Sequence, residues 1–170
     1  MKITSTRIAT AADAKAVAEI ANAHELSVDS KSSLFGEQGA LDFIAGYIDP
    51  SPAYLVSLDG ESGFSAVFNL HPDSVTGRYY TDVYARPSVE NLENVVLWAI
   101  ELANSQHADW DIRPGVNSLD KRLQNAWAKH GFEFLRRYYT MRMSISSAPT
   151  IRHIQGVEIR SIDISNPDQV

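Results

Sequence analysis

Apolar residues near the start of the chain recur at the three- and four-residue spacing that is typical of amphipathic helices. A first strand is predicted over residues 3–10, and Thr10-Ala-Ala-Asp13 at its end has the capping-box pattern, with Asp in place of Glu. A helix is therefore expected over about 11–24, with an inner stripe of Val17, Ile20, Ala21 and His24. After a loop, a second helix is expected over 37–48, with an apolar face of Leu41, Ile44 and Ile48.

The middle of the chain alternates between short β-rich runs and turn residues. Segments 53–58 and 63–70 are predicted to be strands joined at Asp59-Gly60, a pair that favours a hairpin. Residues 71–77 are predicted to be a turn, and 78–85, RYYTDVYA, a third strand of this group. Together these runs predict neighbouring strands of one sheet.

Helical and strand patterns alternate in the second half. After Pro87 a helix is predicted, with a stripe of Leu92, Val95, Val96, Ala99, Ile100 and Ala103. A strand is predicted at 108–113 and another at 132–145, on either side of a helix that starts at about Asn117 and ends at Gly131. The expected stripe of that helix is Leu119, Leu123, Ala126 and Trp127. The order β-α-α-β-β-β-α-β-α-β indicates an α/β fold, a mixed sheet with helices on both faces.

Composition and charge exclude several classes of protein. The apolar and charged fractions, 44% and 21%, are those of a soluble globular protein, and cytoplasmic localisation is expected. A net charge of −6 argues against nucleic acid and anionic membranes as partners. There is no cysteine, so disulfides and thiol chemistry are excluded. The longest apolar run, Val95–Ile100, is too short to span a bilayer.

The last residues of the chain repeat the pattern of its beginning. Residues 146–156, SSAPTIRHIQG, are predicted to be a linker, and 160–170 align without gaps on 7–17. Only the Arg and Val at the two ends are identical, so a chance match is the alternative. The interpretation is a domain at 1–145, a linker at 146–156, and the truncated start of a second copy at 157–170.

The opening RIATAADAKAV and the closing AWAKHGFEFLRRYYTMRM resemble the GNAT acyltransferase superfamily, over about residues 5–145. The most specific motif is Lys129-His130-Gly131-Phe132, a helix end followed by a strand. With the repeat at its end, the chain resembles the N-terminal half of a tandem GNAT protein related to mycothiol synthase. The resemblance implies a C-terminal GNAT-like half as partner and a small-molecule amine as acceptor.

The resemblance also implies acetyl-CoA as cofactor, held between two splayed strands. Its pantetheine arm would pair with the backbone of Val83, Tyr84 and Ala85, and its pyrophosphate would lie on a glycine-bearing loop before the next helix. That loop is RPSVENLENVV here and contains no glycine. It places Glu90 and Glu93 where the pyrophosphate would lie, and carboxylates are poor neighbours for phosphate. Whether this domain binds acetyl-CoA therefore stays open.

No catalytic residue is assigned. Many GNAT enzymes protonate the leaving thiolate with a tyrosine four residues before the glycine of the Gly-Phe pair, and Trp127 occupies that position. An indole N–H donates a hydrogen bond but does not shuttle protons. Asp82 is a candidate general base, although a solvent-facing strand residue is the favoured interpretation. No metal site is expected, because the histidines are scattered, at 24, 71, 107, 130 and 153.

Two functions fit these observations. The first is an acetyl-CoA-dependent N-acetyltransferase, with this chain as a degenerate N-terminal domain and catalysis in the other half or, with backbone-only cofactor binding, in this one. The alternative is a non-catalytic GNAT-like binding or scaffold domain that supports a C-terminal catalytic half. An apolar face exposed without that half would allow a homodimer.

Overall fold

The computed structural model describes residues 2–46 and 51–139. Residues up to Phe134 form one compact unit and those from Leu135 a second, and all of the helices and strands belong to the first. The strands are β1 (Ile3–Ile8), β2 (Ala53–Leu58), β3 (Ala66–Asn69), β4 (His71–Asp73), β5 (Arg78–Ala85) and β6 (Asp111–Gly115). The helices are α1 (Ala14–Val28), α2 (Glu37–Ala45), α3 (Glu93–Gln106) and α4 (Lys121–Ala128), and a 3₁₀ turn (Ala11–Asp13) precedes α1.

The six strands form one mixed sheet. Its order is β1-β2-β3-β5-β4, and β6 pairs with the opposite edge of β5. Only the β5–β6 pairing is parallel. β3 and β4 meet the same edge of β5 in one continuous register, since Phe68 faces Val83 and His71 faces Tyr80. The predicted turn at 71–77 is therefore wrong in its first three residues, which continue the strand.

Each face of the sheet carries its own core. One face packs against α3 and α4 through residues such as Phe68, Val83 and Trp127. The other face packs against α1 and α2 through residues such as Leu55, Val67 and Ile20. The predicted α/β class, with a mixed sheet and helices on both faces, is confirmed.

The predicted inner stripe of helix α1 is confirmed as its buried face. All four residues of its predicted stripe are at most 2% exposed, His24 among them. The helix runs four residues past its expected end, to Val28. Its beginning is fixed by Asp13, whose Oδ2 accepts a hydrogen bond from the Thr10 amide at 2.8 Å. The same carboxylate binds Arg7 through both of its oxygens.

The predicted burial of Leu119 is wrong, and so is the described part of the predicted final strand. Leu119 is 59% exposed because α4 begins later than expected, after Asp120, whose Oδ1 accepts from the Leu123 amide at 2.9 Å. The described part of the predicted final strand, 132–139, lies in neither a strand nor a helix. Residues 140–170, which include the predicted linker and second repeat, and Ile48 lie outside the described residues. Within the described ranges, no helix is long and apolar enough to cross a membrane.

Candidate functional site

β5 and β6 separate part-way along β5 and leave a cleft. Their pairing ends at Asp82 opposite Gly115, whereas β5 continues on its other edge, beside β3, to Ala85. At the point of separation a Cβ on Gly115 would lie 2.5 Å from Asp82 Oδ1, so a larger residue there would have to displace the Asp82 side chain. The glycine thus lets the Asp82 carboxylate lie close to the β6 backbone.

The cleft contains a pocket of about 120 Å³. Pockets that hold drug-sized ligands usually measure about 300–1,000 Å³, so this space suits a small group only. It is lined by His24, Glu25, Asp82, Val83, Tyr84, Gly115, Asn117 and Leu123.

His24 connects the two walls of this cleft. Its Nδ1 accepts a hydrogen bond from the Ala85 amide of β5 at 3.2 Å. Its Nε2 lies 3.0 Å from Oδ2 of Asp120, the residue that caps α4, and the two side chains are only 3% and 2% exposed. A side chain from α1 thus joins β5 to the start of α4. We call this set, His24, Ala85 and Asp120, the His24 bridge.

The contacts of the bridge select one form of the imidazole. Nδ1 faces two donors, the Ala85 amide and Nη2 of Arg122 at 3.4 Å, so it carries a lone pair and the ring proton lies on Nε2, towards Asp120. Burial opposes ionisation of Asp120, but His24, the Leu123 amide and Arg122 together hold its pKa below the ordinary value. The bridge therefore holds a buried carboxylate beside an imidazole N–H, at a distance of 3.0 Å, although Oδ2 of Asp120 meets no donor at full hydrogen-bond geometry among the described residues.

Val83, Tyr84 and Ala85 lie on the last part of β5, beside the pocket. Amides alternate in direction along a strand. The Arg86 amide donates to Ser65 O on the β3 side at 2.8 Å, and the Ala85 amide accordingly points into the cleft. A pantetheine arm would approach β5 from this side. The Ala85 amide, however, already donates to His24 Nδ1. Cofactor binding by these three residues stays a prediction.

The side chains of these residues belong to the cores. Val83 is buried on the face that packs against α3 and α4. The Tyr84 ring packs on the opposite face, with ring centroids 5.5 Å from His24, 5.5 Å from Phe35 and 5.6 Å from Phe43. Tyr84 therefore supports the His24 ring from the side.

The loop between β5 and α3 makes its polar contacts largely within the chain. Nη1 of Arg122 donates to Val89 O at 2.7 Å and more weakly to Arg86 O and Pro87 O, at 3.3 and 3.4 Å. Of the loop amides, Val89 N donates to Arg86 O and Glu90 N to Ser88 O. At the start of α3, the Glu93 amide donates to Asn91 Oδ1 at 2.9 Å. These amides are not arranged as open donors for a phosphate.

Of the two carboxylates expected near the phosphate position, Glu93 at the start of α3 is paired with a lysine. Its Oε2 lies 2.6 Å from Nζ of Lys129, and the hydrogen bond from Lys129 is the main cause that lowers the pKa of Glu93. Glu90 is exposed. The first residue of the Lys129-to-Phe132 motif therefore neutralises one of the two carboxylates before α3.

The rest of that motif ends helix α4. Gly131 has φ +83°, as its predicted left-handed position requires. The Gly131 amide donates to Ala128 O and the Phe132 amide to Trp127 O, which is the Schellman arrangement. Phe132 also packs on Trp127, with ring centroids 4.7 Å apart. Trp127 is buried, and its Nε1 has no hydrogen-bond partner among the described residues. The motif acts here as a helix cap.

Asp82 lines the pocket and is only half-buried. Its pKa is raised, chiefly because burial disfavours the charged carboxylate. Glu25 also raises the pKa, and Asn69 and His71 lower it by less than the total rise. The favoured interpretation of a purely solvent-facing residue is thus too simple.

Among the residues that the structure describes, no three His, Cys, Asp or Glu side chains form a group that could hold a metal ion.

No protein-family model matches the sequence, and no curated protein matches it significantly. Solved structures share its fold. A GCN5-related N-acetyltransferase from Sphaerobacter thermophilus superposes with a TM-score of 0.60 at 15% identity, and this chain spans 42% of that longer protein with 74% of its own length. A transcriptional regulator from Bacillus halodurans C-125 gives a TM-score of 0.61 at 13% identity, over 84% of this chain and 100% of that one.

A GNAT-family acetyltransferase from Streptococcus pneumoniae is similar to the same extent, with a TM-score of 0.56 at 17% identity over 76% of this chain and 84% of that one. Identities this low show the fold alone. The chain has the fold of the GNAT N-acetyltransferases.

Proposed function

We propose that the protein is a GNAT-type N-acetyltransferase that uses acetyl-CoA to acetylate a small amine, and that this chain is its non-catalytic N-terminal domain. The observation that carries the proposal is the His24 bridge. A pantetheine arm along β5 would have to displace His24 from the Ala85 amide and leave Asp120 without its nearest partner. Leaving a buried carboxylate without the N–H that faces it is unfavourable.

The loop before α3 supports the same proposal. A diphosphate needs several main-chain amides that point outward, and glycines let it approach them closely. Here Arg122 contacts the carbonyl side of the loop, and three of the local amides already donate within the chain. The polar groups at the usual phosphate position therefore bond to the loop and stabilise the loop itself.

Acetyl transfer would then occur in a second, C-terminal GNAT-like half. There a neutral amine would attack the thioester carbonyl, main-chain amides would stabilise the oxyanion, and CoA would leave as the thiol. The tandem organisation, of the kind found in mycothiol synthase-like proteins, rests on the likeness of 160–170 to 7–17. A GNAT fold also occurs within the longer Sphaerobacter protein, of which this chain spans less than half.

A second candidate function is acetyl transfer by this chain itself. The observation that favours it is the pair of carboxylates, Asp82 and Glu25, that line the pocket where β5 and β6 separate. A carboxyl group with a raised pKa is suited to accept a proton from an ammonium acceptor. This function requires the His24 bridge to open, which makes it the less favoured of the two.

Calorimetric titration with acetyl-CoA beside 3′-phosphoadenosine 5′-diphosphate tests the proposal, because this nucleotide has the phosphates of CoA but lacks the pantetheine arm. We expect the two affinities to agree within about threefold, since the arm finds the cleft closed. The double variant His24→Ala/Asp120→Asn should then bind acetyl-CoA more tightly than the nucleotide, with Asp120→Asn alone as the matched control. Unmodified protein that binds acetyl-CoA tenfold more tightly than the nucleotide, or that acetylates small amines, would overturn the proposal.

A further inference from the structure

A second and larger pocket lies next to the His24 bridge. It measures about 320 Å³ and is open to solvent. Three short segments form it: the end of α1, Pro87 shortly after β5, and the start of α4. It is lined by Ser27, Val28, Pro87, Leu119, Asp120, Lys121 and Arg122.

Two adjacent cations give this pocket its charge. Arg122 is half-buried, and its guanidinium is fixed by the carbonyls of the loop before α3, chiefly Val89 O at 2.7 Å. Lys121 is exposed, and its Nζ contacts Gln124 Oε1 at 2.9 Å. The third charged residue at the pocket is Asp120, whose oxygens face the Leu123 amide and His24. Its charge is therefore directed into the bridge, and the accessible charge is positive.

The remaining wall of the pocket is apolar. Leu119 is 59% exposed, although leucine at this position was expected in the core. It is held outside by a turn in which Asn117 Oδ1 accepts from the Leu119 amide at 3.0 Å. Together with Val28 and Pro87, it offers an apolar surface beside the two cations. Such a mixed pocket suits a ligand that has both an anionic group and a flat or apolar part.

We propose that this pocket binds a diphosphate group, held by Lys121 and Arg122 of α4 in place of the loop before α3. Nη1 of Arg122 is engaged by the loop carbonyls and Nη2 by His24, so the guanidinium acts on phosphate oxygens chiefly through its fixed positive charge. The neighbouring Lys121 adds a second positive charge and ammonium donors of its own. The inference rests on the proposed function, because the ADP part of CoA is one source of a diphosphate. A free nucleotide is the other source. In either case the ligand remains outside the closed cleft.

Titrations with pyrophosphate, ADP and CoA test the site directly. We expect all three to bind with similar affinity, which should fall as salt is added, since the contacts are ionic. Arg122→Gln should weaken pyrophosphate binding roughly ten- to hundredfold, and Lys121→Gln roughly three- to tenfold. Lys15→Gln, which removes an exposed charge on α1 away from the pocket, is the matched control and should leave the affinity unchanged.

The outcomes separate the two proposals. No binding of pyrophosphate or ADP to the unmodified chain, or equal weakening by Lys121→Gln and Lys15→Gln, would overturn the diphosphate site and leave the closed cleft standing. CoA that binds tenfold more tightly than 3′-phosphoadenosine 5′-diphosphate, which has every phosphate of CoA but no arm, would show that the arm enters the cleft. That result would overturn the proposed function while the phosphate contacts stand. Because Lys121 is exposed, its variant keeps the test decisive even if Arg122→Gln does not fold.

Discussion

The His24 bridge predicts a large and specific loss of stability in His24→Ala. The substitution leaves the Ala85 amide without its acceptor, in a site where His24 is 2% exposed. A buried donor left unpaired costs about 1–3 kcal/mol. The substitution also removes the neutral N–H that faces the Asp120 carboxylate, and losing a buried contact to a charged group costs about 1.5–3 kcal/mol.

These two losses are not additive, because one ring supplies both contacts and water can enter the space it leaves. We therefore expect His24→Ala to lower the free energy of unfolding by about 4 kcal/mol. Val17→Ala is the matched control, since Val17 is on the same buried face of α1 and makes only apolar contacts. It should cost about 2 kcal/mol, the value for removing two buried carbons with a small cavity.

Urea denaturation with linear extrapolation measures both values, with equal slopes for all variants. A double-mutant cycle with Asp120→Asn isolates the pair, and we expect a coupling of about 1.5–3 kcal/mol. The pKa of Asp120 is lowered in the folded state, so the charged carboxylate stabilises the fold. This contribution to the free energy of unfolding is complete above the unfolded pKa, about 3.9. That contribution is lost as the pH falls through the folded value, and Asp120→Asn should lack this part of the acid dependence. A loss below that of Val17→Ala, or a coupling near zero, would refute the bridge.

Four further substitutions have defined outcomes. Gly131→Ala should cost about 1–2 kcal/mol of stability in denaturation, because a Cβ is strained at φ +83°. Asp13→Asn should cost roughly 1 kcal/mol at neutral pH, through the Thr10 cap and the Arg7 pair; its carboxyl pKa is lowered in the fold, so the difference from the unmodified protein should disappear in acid. Asp82→Asn should raise the melting temperature increasingly as the pH rises from 4 to 8, because burial opposes the charged form and raises the pKa. Trp127→Tyr should produce no acetyl transfer in a thiol-release assay, since a restored hydroxyl does not open the cleft; turnover would contradict this.

Local chemistry explains which parts of the fold were predictable. The strand at 78–85 coincides with its prediction, because alternating aromatic and β-branched residues favour a pleated strand wherever it lies. Gly131 was predictable for the same kind of reason, since the left-handed end of a helix selects glycine. The stripe of α1, including His24, followed from the helical period alone.

The role of the site residues was not predictable, because it depends on contacts between distant segments. His24 meets an amide 61 residues away and a guanidinium 98 residues away, and neither contact leaves a local pattern. One signal was present: a histidine on an otherwise apolar stripe, which needs a polar partner when buried. The exposure of Leu119 likewise depends on the turn at Asn117, which delays the start of α4.

The free energy that closes the cleft also limits how well it can bind a cofactor. An acyl-CoA arm that enters must break the His24 bridge, and its measured affinity is reduced by the free energy of that opening. If opening costs about 4 kcal/mol, an arm that would otherwise bind at micromolar concentration binds only at about millimolar concentration, because each 1.4 kcal/mol is tenfold. Gly131 is independent of this balance, because it ends α4 at φ +83° in any state of the cleft. The residues that close it, His24 and Asp120, are therefore the ones in which stability and cofactor binding oppose each other.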